Sequence, residues 1–329
     1  NSSTTYVTGW TESSNLPLVG IAAGPNVGLV RDAFLMAFSA PTWGLNYSSY
    51  LGALNTEADS VVQYSSDRVI IAGSTANGLP VSFDAFQSTF QGGTRDAFIA
   101  LFYLTATGSP IEFCSYLGGE QDDAAHGLDS DGSRVYVVGE TASASFPGLS
   151  MPVQGQLNGD GVVSGKTDGF AFTIASVGKV ALDPAYLAYL GGNLDDVATD
   201  VTWFSGIAVN QVSVTGFTSS NDGWVYDYCA SAILPFQDTL NGDGSAGYDA
   251  FVLAFKDSTI PNFQFASYLG GLGDDFAYGI AATPLTGITV VGSTVSDNFP
   301  LVDPLQTHRN GPSDAFAAQI KDVIFVNHS

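Results

Sequence analysis

The side chains best suited to chemistry are the Asn and Asp residues of a five-residue motif that occurs twice. Leu-Asn-Gly-Asp-Gly stands at residues 157–161 and again at residues 240–244. Oxygen ligands at alternate positions, followed by a glycine at a sharp turn, are typical of calcium-binding loops. The match is incomplete because Gln156 and Thr239 occupy the first ligand position, and Asn-Gly and Asp-Gly are also ordinary turn dipeptides. With a closing aspartate further along, the predicted calcium ligands are Asn158, Asp160, Asp168, Asn241, Asp243 and Asp249.

Paired aspartates form a second candidate cation site. They occur three times, as Asp122-Asp123, Asp195-Asp196 and Asp274-Asp275. Each pair falls where one repeat passes to the next, so in a ring-shaped fold the pairs would line one face and could hold Ca²⁺. In the alternative interpretation, one aspartate of each pair caps a turn and the other is solvated.

A tripeptide containing aspartate recurs five times and indicates a structural role for that residue. An aspartate followed by Ala or Gly and then Phe begins at Asp32, Asp96, Asp168, Asp249 and Asp314. A catalytic residue is unique in its surroundings, whereas a residue repeated in every copy is expected to cap backbone N–H groups at a turn. By the same argument, the threonine of each Gly-x-Thr is expected to hydrogen-bond to a neighbouring strand.

Unrepeated side chains give little support for catalysis. The three histidines, His126, His308 and His328, have no metal-binding spacing. Single-copy carboxylates could supply the acid pair of a glycosidase, and they are Glu12, Glu112, Glu140, Asp222 and Asp227. No nucleophile and base stand together, so the sequence predicts a protein that is not an enzyme, with a glycosidase as the less favoured alternative.

An aromatic insertion at residues 221–234 interrupts the repeats. Its sequence begins Asn-Asp-Gly-Trp-Val-Tyr-Asp-Tyr-Cys. Aromatic side chains in a loop on a rigid scaffold commonly bind sugars or protein partners, so Trp224, Tyr226 and Tyr228 are predicted contacts of a carbohydrate or a partner. The alternative is a local core that covers an edge strand.

Four strand-like segments make up each repeat. In the copy at residues 120–192 they are 124–130, 134–138, 170–174 and 186–190, rich in β-branched and aromatic residues and bounded by turn residues. Four antiparallel strands in each of five repeats predict an all-β, five-bladed β-propeller, in preference to a solenoid. The predicted single domain is 1–329, with blades at about 1–53, 54–119, 120–192, 193–271 and 272–329.

Three signatures in the repeats resemble those of a known family. Tyr-Leu-Gly-Gly-x-x-Asp-Asp-x-Ala, Val-x-Gly-x-Thr-x-Ser-x-x-Phe-Pro and Asp-Ala-Phe follow one another here, as in the SBBP-type β-propeller repeat of bacterial and archaeal surface proteins. The resemblance implies an extracellular or cell-surface propeller with a structural or adhesive role and no shared catalytic activity. Two features depart from the family: five copies stand where its name refers to seven blades, and the first copy has Glu57 and Asp59 in place of the acidic pair.

The first and last repeats lack strands. The chain opens on a strand of the second type at residues 5–8, so the first blade has no innermost strand of its own, and residues 324–326 form the last apolar segment. Residues 324–326 could complete the fifth blade as its outer strand or cross to the first blade and close the ring, and in either case one strand position stays open. Either the ring is slightly irregular, or a strand from another chain fills the gap and the protein is a subunit of a surface filament or sheath. The predicted partners are other copies of the chain, other surface proteins and glycans.

Composition excludes two classes of partner. Of 329 residues, 45% are hydrophobic, enough for a substantial core, but only 12% are charged. Nine Lys and Arg against 32 Asp and Glu give a formal net charge of -23, so little could neutralise the phosphates of a nucleic acid or an anionic membrane surface. No apolar stretch approaches the roughly 20 residues that span a bilayer, so no transmembrane segment is predicted.

The sequons fit an exported protein, whereas the two cysteines do not make a disulfide framework. Asn1, Asn46 and Asn327 begin Asn-x-Ser sequons and are predicted glycosylation sites. Cys114 and Cys229 fall in different repeats, separated by a whole blade in the predicted fold. Since a disulfide needs Cα atoms within about 7 Å, both cysteines are expected to be unpaired.

Overall fold

The computed structural model describes ten stretches of the chain. They are residues 4–24, 30–52, 54–145, 166–177, 181–205, 210–226, 234–242, 247–257, 262–283 and 287–321. These residues form eighteen β-strands and two single-turn 3-10 helices, at Trp224–Tyr226 and Leu240–Gly242. The prediction of an all-β fold is confirmed for this part of the chain.

The strands pair into five antiparallel sheets, each a meander in chain order. The first sheet contains β1 (Thr4–Thr11), β2 (Asp32–Ser39) and β3 (Gly44–Tyr50). The second contains β4 (Glu57–Gln63), β5 (Arg68–Thr75), β6 (Asp96–Tyr103) and β7 (Ile111–Leu117). The third contains β8 (Asp123–Ser130), β9 (Arg134–Thr141), β10 (Asp168–Val177) and β11 (Ala181–Leu190). The fourth contains β12 (Asp196–Ser205), β13 (Asn210–Thr218), β14 (Asp249–Lys256) and β15 (Asn262–Leu269), and the fifth contains β16 (Asp275–Thr283), β17 (Gly287–Thr294) and β18 (Asp314–Ile320).

The repeat fills four strand positions, which we number one to four in chain order. The four strands predicted in the copy at residues 120–192 are confirmed as β8 to β11. The second, third and fourth sheets have all four positions filled. Within the described residues the first sheet lacks position one, as predicted, and the fifth sheet lacks position four. The predicted terminal segment at 324–326 lies outside the described residues.

The glycine of Gly-x-Thr lets two strands approach closely in the second, fourth and fifth sheets. Gly73 lies in β5 opposite β4, and a Cβ on Gly73 would overlap the carbonyl oxygen of Glu57. Beside this contact the register shifts by one residue, so Asp59 is the extra residue of a β-bulge. The same overlap and bulge recur at Gly216 and Gly292. Backbone packing therefore accounts for the repeated glycine.

Two compact units divide the chain, and the third sheet contributes residues to both. The first unit is Asn1–Val137, Thr141–Ser150 and Thr173–Ala185. In it the first and second sheets pack through β1 and β4, and β4 and β5 also contact β8. Buried apolar side chains fill its core, including Leu35, Tyr47, Ile71, Phe98 and Phe102.

The second unit is Val138–Glu140, Met151–Phe172 and Tyr186–Ser329. In it the fourth and fifth sheets pack through β12 and β13 against β16. Its core includes Val252, Phe265, Ile288, Val290 and Phe299. The burial of these side chains is the main favourable term in the folding of each unit. The single domain at 1–329 stays a prediction.

Candidate functional site

The aspartate of the repeated tripeptide opens each third-position strand, and in the second, fourth and fifth sheets it is bonded to the loop before it. In the second sheet, Oδ2 of Asp96 accepts the N–H of Gln91 at 2.9 Å and the side-chain amide of Gln87 at 3.2 Å. Oε1 of Gln87 in turn accepts the N–H of Gly118, the glycine of Tyr-Leu-Gly, at 2.9 Å. We call this arrangement, in which one glutamine joins an aspartate to the glycine directly after the fourth-position strand, the Gln–Asp tie.

The fourth sheet contains the same tie. Oδ2 of Asp249 accepts the N–H of Asn241 at 2.7 Å and the side-chain amide of Gln237 at 2.6 Å, and Gln237 accepts the N–H of Gly270 at 3.0 Å. The capping role predicted for Asp96 and Asp249 is confirmed. Sequence reasoning missed the glutamine.

The second aspartate of each acidic pair is buried and bonded. Asp123 accepts the hydroxyl of Thr141, the N–H of Gly119 at 2.7 Å and the hydroxyl of Ser143 at 2.9 Å. Asp196 and Asp275 accept the corresponding glycine and serine donors at 2.7 to 2.9 Å. All three carboxylates are 0% exposed. The Thr141 contact fulfils, in this repeat, the cross-strand bond predicted for the threonine of Gly-x-Thr.

The first aspartate of each pair is partly exposed and caps the loop of the preceding repeat. Asp122 accepts the hydroxyl of Thr94 at 2.8 Å, and Asp274 accepts the N–H of Tyr248 at 3.0 Å. Asp195 forms an ion pair with the Nζ of Lys166 at 2.6 Å. In the three described pairs one aspartate caps a turn, as the alternative interpretation predicts, but the other is buried and bonded and not solvated.

At the start of the second sheet a threonine replaces the buried aspartate. The N–H of Thr56 bonds to the carbonyl of Arg31 at 2.9 Å, as the N–H of Asp123 bonds to the carbonyl of Arg95. The hydroxyl of Thr56 lies 2.8 Å from that of Thr75. The proposal that Glu57 and Asp59 stand for the acidic pair is corrected, since the equivalent position is one residue before Glu57.

Buried carboxylates from the two motifs meet beside a glycine. A Cβ on Gly118 would lie 2.7 Å from Oδ2 of Asp123 and 3.0 Å from Cγ of Asp96. Burial raises the pKa of Asp123 to about 7 and that of Asp96 to about 6, although several donors oppose the shift. Burial, together with the neighbouring carboxylate of Asp275, also raises the pKa of Asp249 to about 7. This arrangement can hold protons that an exposed aspartate would release.

Only part of the predicted calcium sites falls in the described chain. Asn158, Asp160 and Asp243 lie outside it, and Asp168, Asn241 and Asp249 lie inside and are buried. Asp249 already accepts two N–H donors on Oδ2. Among the described residues no group of three or more His, Cys, Asp or Glu side chains is placed to hold a metal. Calcium needs six to eight oxygen ligands, and only three of the predicted ligands are described, so calcium binding at these loops stays a prediction.

The aromatic insertion contributes to the core of the fourth sheet. Trp224 is 3% exposed, its ring packs edge-on against Phe251 and Tyr268, and its Nε1 lies 3.3 Å from the hydroxyl of Thr218. The prediction that Trp224 contacts a ligand does not fit this burial. Its contacts fit the alternative interpretation, in which the insertion forms a local core. The backbone of Tyr226 ends the 3-10 helix, and Tyr228 lies outside the described residues.

Two contacts join charged side chains that lie outside the repeated motifs. Glu112 accepts Nε and Nη2 of Arg68 at 2.6 and 3.0 Å. His126 lies 3.2 Å from Asp59 of the neighbouring sheet. Neither contact brings together two carboxylates as a glycosidase requires.

The predicted modification sites are described only in part. Asn46 is the exposed extra residue of a β-bulge in β3, whereas Asn1 and Asn327 lie outside the described residues. Cys114 is buried in β7 and has no disulfide partner in the described part of the chain, and burial raises its pKa to about 12. Cys229 lies outside the described residues.

Two strand edges are open where complete sheets have another strand. No described strand pairs with the second edge of β1 or of β18. On β1, Val7 is 39% and Trp10 is 44% exposed. Ala315, Ala317 and Gln319 of β18 are exposed, whereas their counterparts in β6 and β14 are buried. These edges are the candidate interaction surfaces.

The chain matches no protein-family model and no curated protein. The likeness to SBBP repeats therefore depends on the motifs alone. Among the described residues, no helix has the length and apolar character needed to cross a membrane.

Proposed function

We propose that this chain is a non-enzymatic structural or adhesive module of an extracellular or cell-surface assembly. Its five sheets act as the blades of a β-propeller, and its open strand edges pair with neighbouring chains. The observation that carries this proposal is that β1 and β18 present almost uncharged strand edges that no described strand covers.

The propeller arrangement is supported by the way consecutive sheets pack within each unit. The first-position strand of one sheet contacts that of the next, as with β4 and β8 in the first unit and β12 and β16 in the second. Thr199 donates from β12 to the carbonyl of Ala277 at 2.9 Å, and Asp200 accepts the N–H of Ile280 at 2.9 Å. Sheets that stack through equivalent strands are expected to continue radially.

Pairing between chains is supported by the chemistry of the open edges. β1 carries no charge and no proline, and β18 has only Asp314 at its start. Soluble proteins usually block exposed edges with lysine, proline or bulges, since an open edge is a template for another strand. Two unblocked edges favour an assembling protein.

Light scattering and negative-stain microscopy across a wide range of protein concentration test the proposal. We expect oligomers or filaments that grow with concentration and diminish in Val7→Glu, because a charge on an edge strand opposes pairing. Leu305→Glu, at an apolar loop residue that is 108% exposed, is the matched control and should leave assembly unchanged. A chain that stays monomeric at every concentration would contradict the proposed assembly.

A further inference from the structure

In the second and fourth sheets a glutamine bonds to the fourth-position strand. The backbone N–H of Gln237 donates to the hydroxyl of Ser267 at 3.0 Å, and its carbonyl accepts the N–H of Tyr268 at 3.2 Å. Its side-chain Oε1 accepts the N–H of Gly270 at 3.0 Å. Gln87 makes the same three contacts with Ser115, Tyr116 and Gly118, at 3.0, 3.2 and 2.9 Å. The sequence Ser-Tyr-Leu-Gly is thus recognised by one glutamine in two separate sheets.

The fifth sheet holds an equivalent glutamine in the same conformation. Nε2 of Gln306 donates to Oδ2 of Asp314 at 2.7 Å and to the carbonyl of His308 at 2.8 Å, and the N–H of Asn310 donates to Asp314 at 2.9 Å. Gln237 makes the corresponding bonds to Asp249 and to a carbonyl two residues on. No described residue, however, bonds to the N–H, the carbonyl or the Oε1 of Gln306. The loop before β18 is therefore formed, but no described strand occupies the fourth position of this sheet.

We infer that Gln306 and the open edge of β18, together the strand socket, bind a β-strand of the pattern Ser-Tyr-Leu-Gly from a neighbouring chain in which that segment is unpaired. The segments in β3, β7 and β15 of a copy are already paired in their own sheets. This inference rests on the proposed function and names the partner strand. The tyrosine would lie opposite Phe316, as Tyr268 lies opposite Phe251. The glycine is required beside Asp314, because a Cβ on Gly270 would overlap the carboxylate of Asp249.

The backbone of β18 identifies the donors that the incoming strand would use. In the complete sheets the N–H of Tyr116 and of Tyr268 point to the glutamine and not to the sheet. Strand residues alternate in direction, so the ladder bonds run through the serine and leucine positions instead. By the same register, the N–H groups of Ala315, Ala317 and Gln319 face the open edge, whereas those of Phe316 and Ala318 face β17. A substitution that removes one outward N–H of β18 can therefore block pairing at the open edge and keep the hydrogen bonds to β17.

Peptide binding to the full chain tests the strand socket. The probe is a fluorescent peptide with the sequence of residues 262–271, Asn-Phe-Gln-Phe-Ala-Ser-Tyr-Leu-Gly-Gly, followed by anisotropy. We expect saturable binding that is lost when the peptide's first glycine is replaced by alanine. Gln306→Ala should weaken binding about tenfold through the lost hydrogen bond and the loosened loop, and His308→Ala, an exposed neighbour, should not. Absence of saturable binding to the full chain would overturn the inference.

A proline at the edge provides a second variant. Ala317→Pro removes one outward N–H at a position where an edge strand tolerates proline, so peptide binding should be lost while the melting temperature is kept. Unchanged peptide binding by Ala317→Pro would overturn the socket. Chains that assemble but do not bind the peptide would overturn the socket and leave the assembly role standing. Peptide binding by a chain that stays monomeric would support the socket and count against assembly.

Discussion

Single residues of the Gln–Asp tie should contribute more to the stability of the fold than their polar character indicates. Gln237→Leu removes a donor to the buried Asp249 and leaves the N–H of Gly270 without its acceptor. We expect a loss of about 2 kcal/mol in the free energy of unfolding, since a buried group deprived of its partner keeps its desolvation cost. Chemical denaturation measures it. Gln264→Leu, at a glutamine bonded only to its own neighbours, is the control, and equal losses in both variants would contradict the tie.

The sequence reveals the aspartate of this tie but not the glutamine, because only the aspartate stands in a motif of constant spacing. The aspartate always precedes Ala-Phe or Gly-Phe, so its repetition is visible and its capping role could be predicted. The glutamine lies nine residues before Asp96, twelve before Asp249 and eight before Asp314. The loop absorbs these differences, and only the folded chain brings the two side chains together.

The turn after each fourth-position strand should reject any side chain. In Gly270→Ala the new Cβ would overlap Oδ1 of Asp249 and lie 2.8 Å from Oδ2 of Asp275. Moving two buried carboxylates apart should cost about 3 kcal/mol, the upper range for overpacking. Thermal denaturation against Gly108→Ala, where a Cβ would meet nothing within 4 Å, measures the difference. Similar melting temperatures for the two variants would argue against a closed packing at this turn.

The 3-10 helix at Trp224–Tyr226 should act as part of the fourth sheet's core. Trp224→Ala removes a ring that contacts Phe251 and Tyr268, and a loss of about 3 to 5 kcal/mol in unfolding free energy is expected. Trp43→Ala, at a tryptophan that is 54% exposed, should change stability little. If Trp224→Ala kept full stability and lost retention on a glycan column, the binding interpretation of the insertion would return.

The strands follow more directly from the sequence than the site does. Short β-branched and aromatic segments bounded by glycine and aspartate specify β8 to β11, because such side chains pack on a pleated surface. The overlap at Gly73 depends on a bulge in the facing strand, and the burial of Trp224 depends on β14 and β15. Neither can be deduced from the spacing of residues within one segment.

Across the whole molecule, the buried carboxyls should make the fold more stable in weak acid than at neutral pH. Burial raises the pKa of Asp96 to about 6 and of Asp123, Asp196 and Asp249 to about 7, against about 3.9 in an unfolded chain. Between these values the folded state binds more protons, so the stability that these carboxyls contribute is fully present below about pH 4 and is lost as pH rises through about 7. Thermal melts at successive pH values should show the melting temperature falling across that window.

Asp249→Asn provides the control for this pH dependence. The amide cannot ionise, and no described donor reaches Oδ1 of Asp249, so the substitution keeps the size of the side chain while removing one titrating group. Its melting temperature should fall less steeply between pH 5 and 8 than that of the unchanged chain. Parallel curves would show that Asp249 titrates alike in the folded and unfolded states.

The Gln–Asp tie lies entirely within one repeat, and this bears on how such a protein can evolve. Gln87, Asp96 and Gly118 belong to the same copy, so a duplication that adds a whole repeat also adds a complete Gln–Asp tie. A deletion of one whole repeat would remove a complete tie and leave none of its three residues without the others. Duplication can therefore lengthen the array, and deletion can shorten it, in steps of one repeat. An insertion within the Tyr-Leu-Gly turn would instead separate residues that only function together.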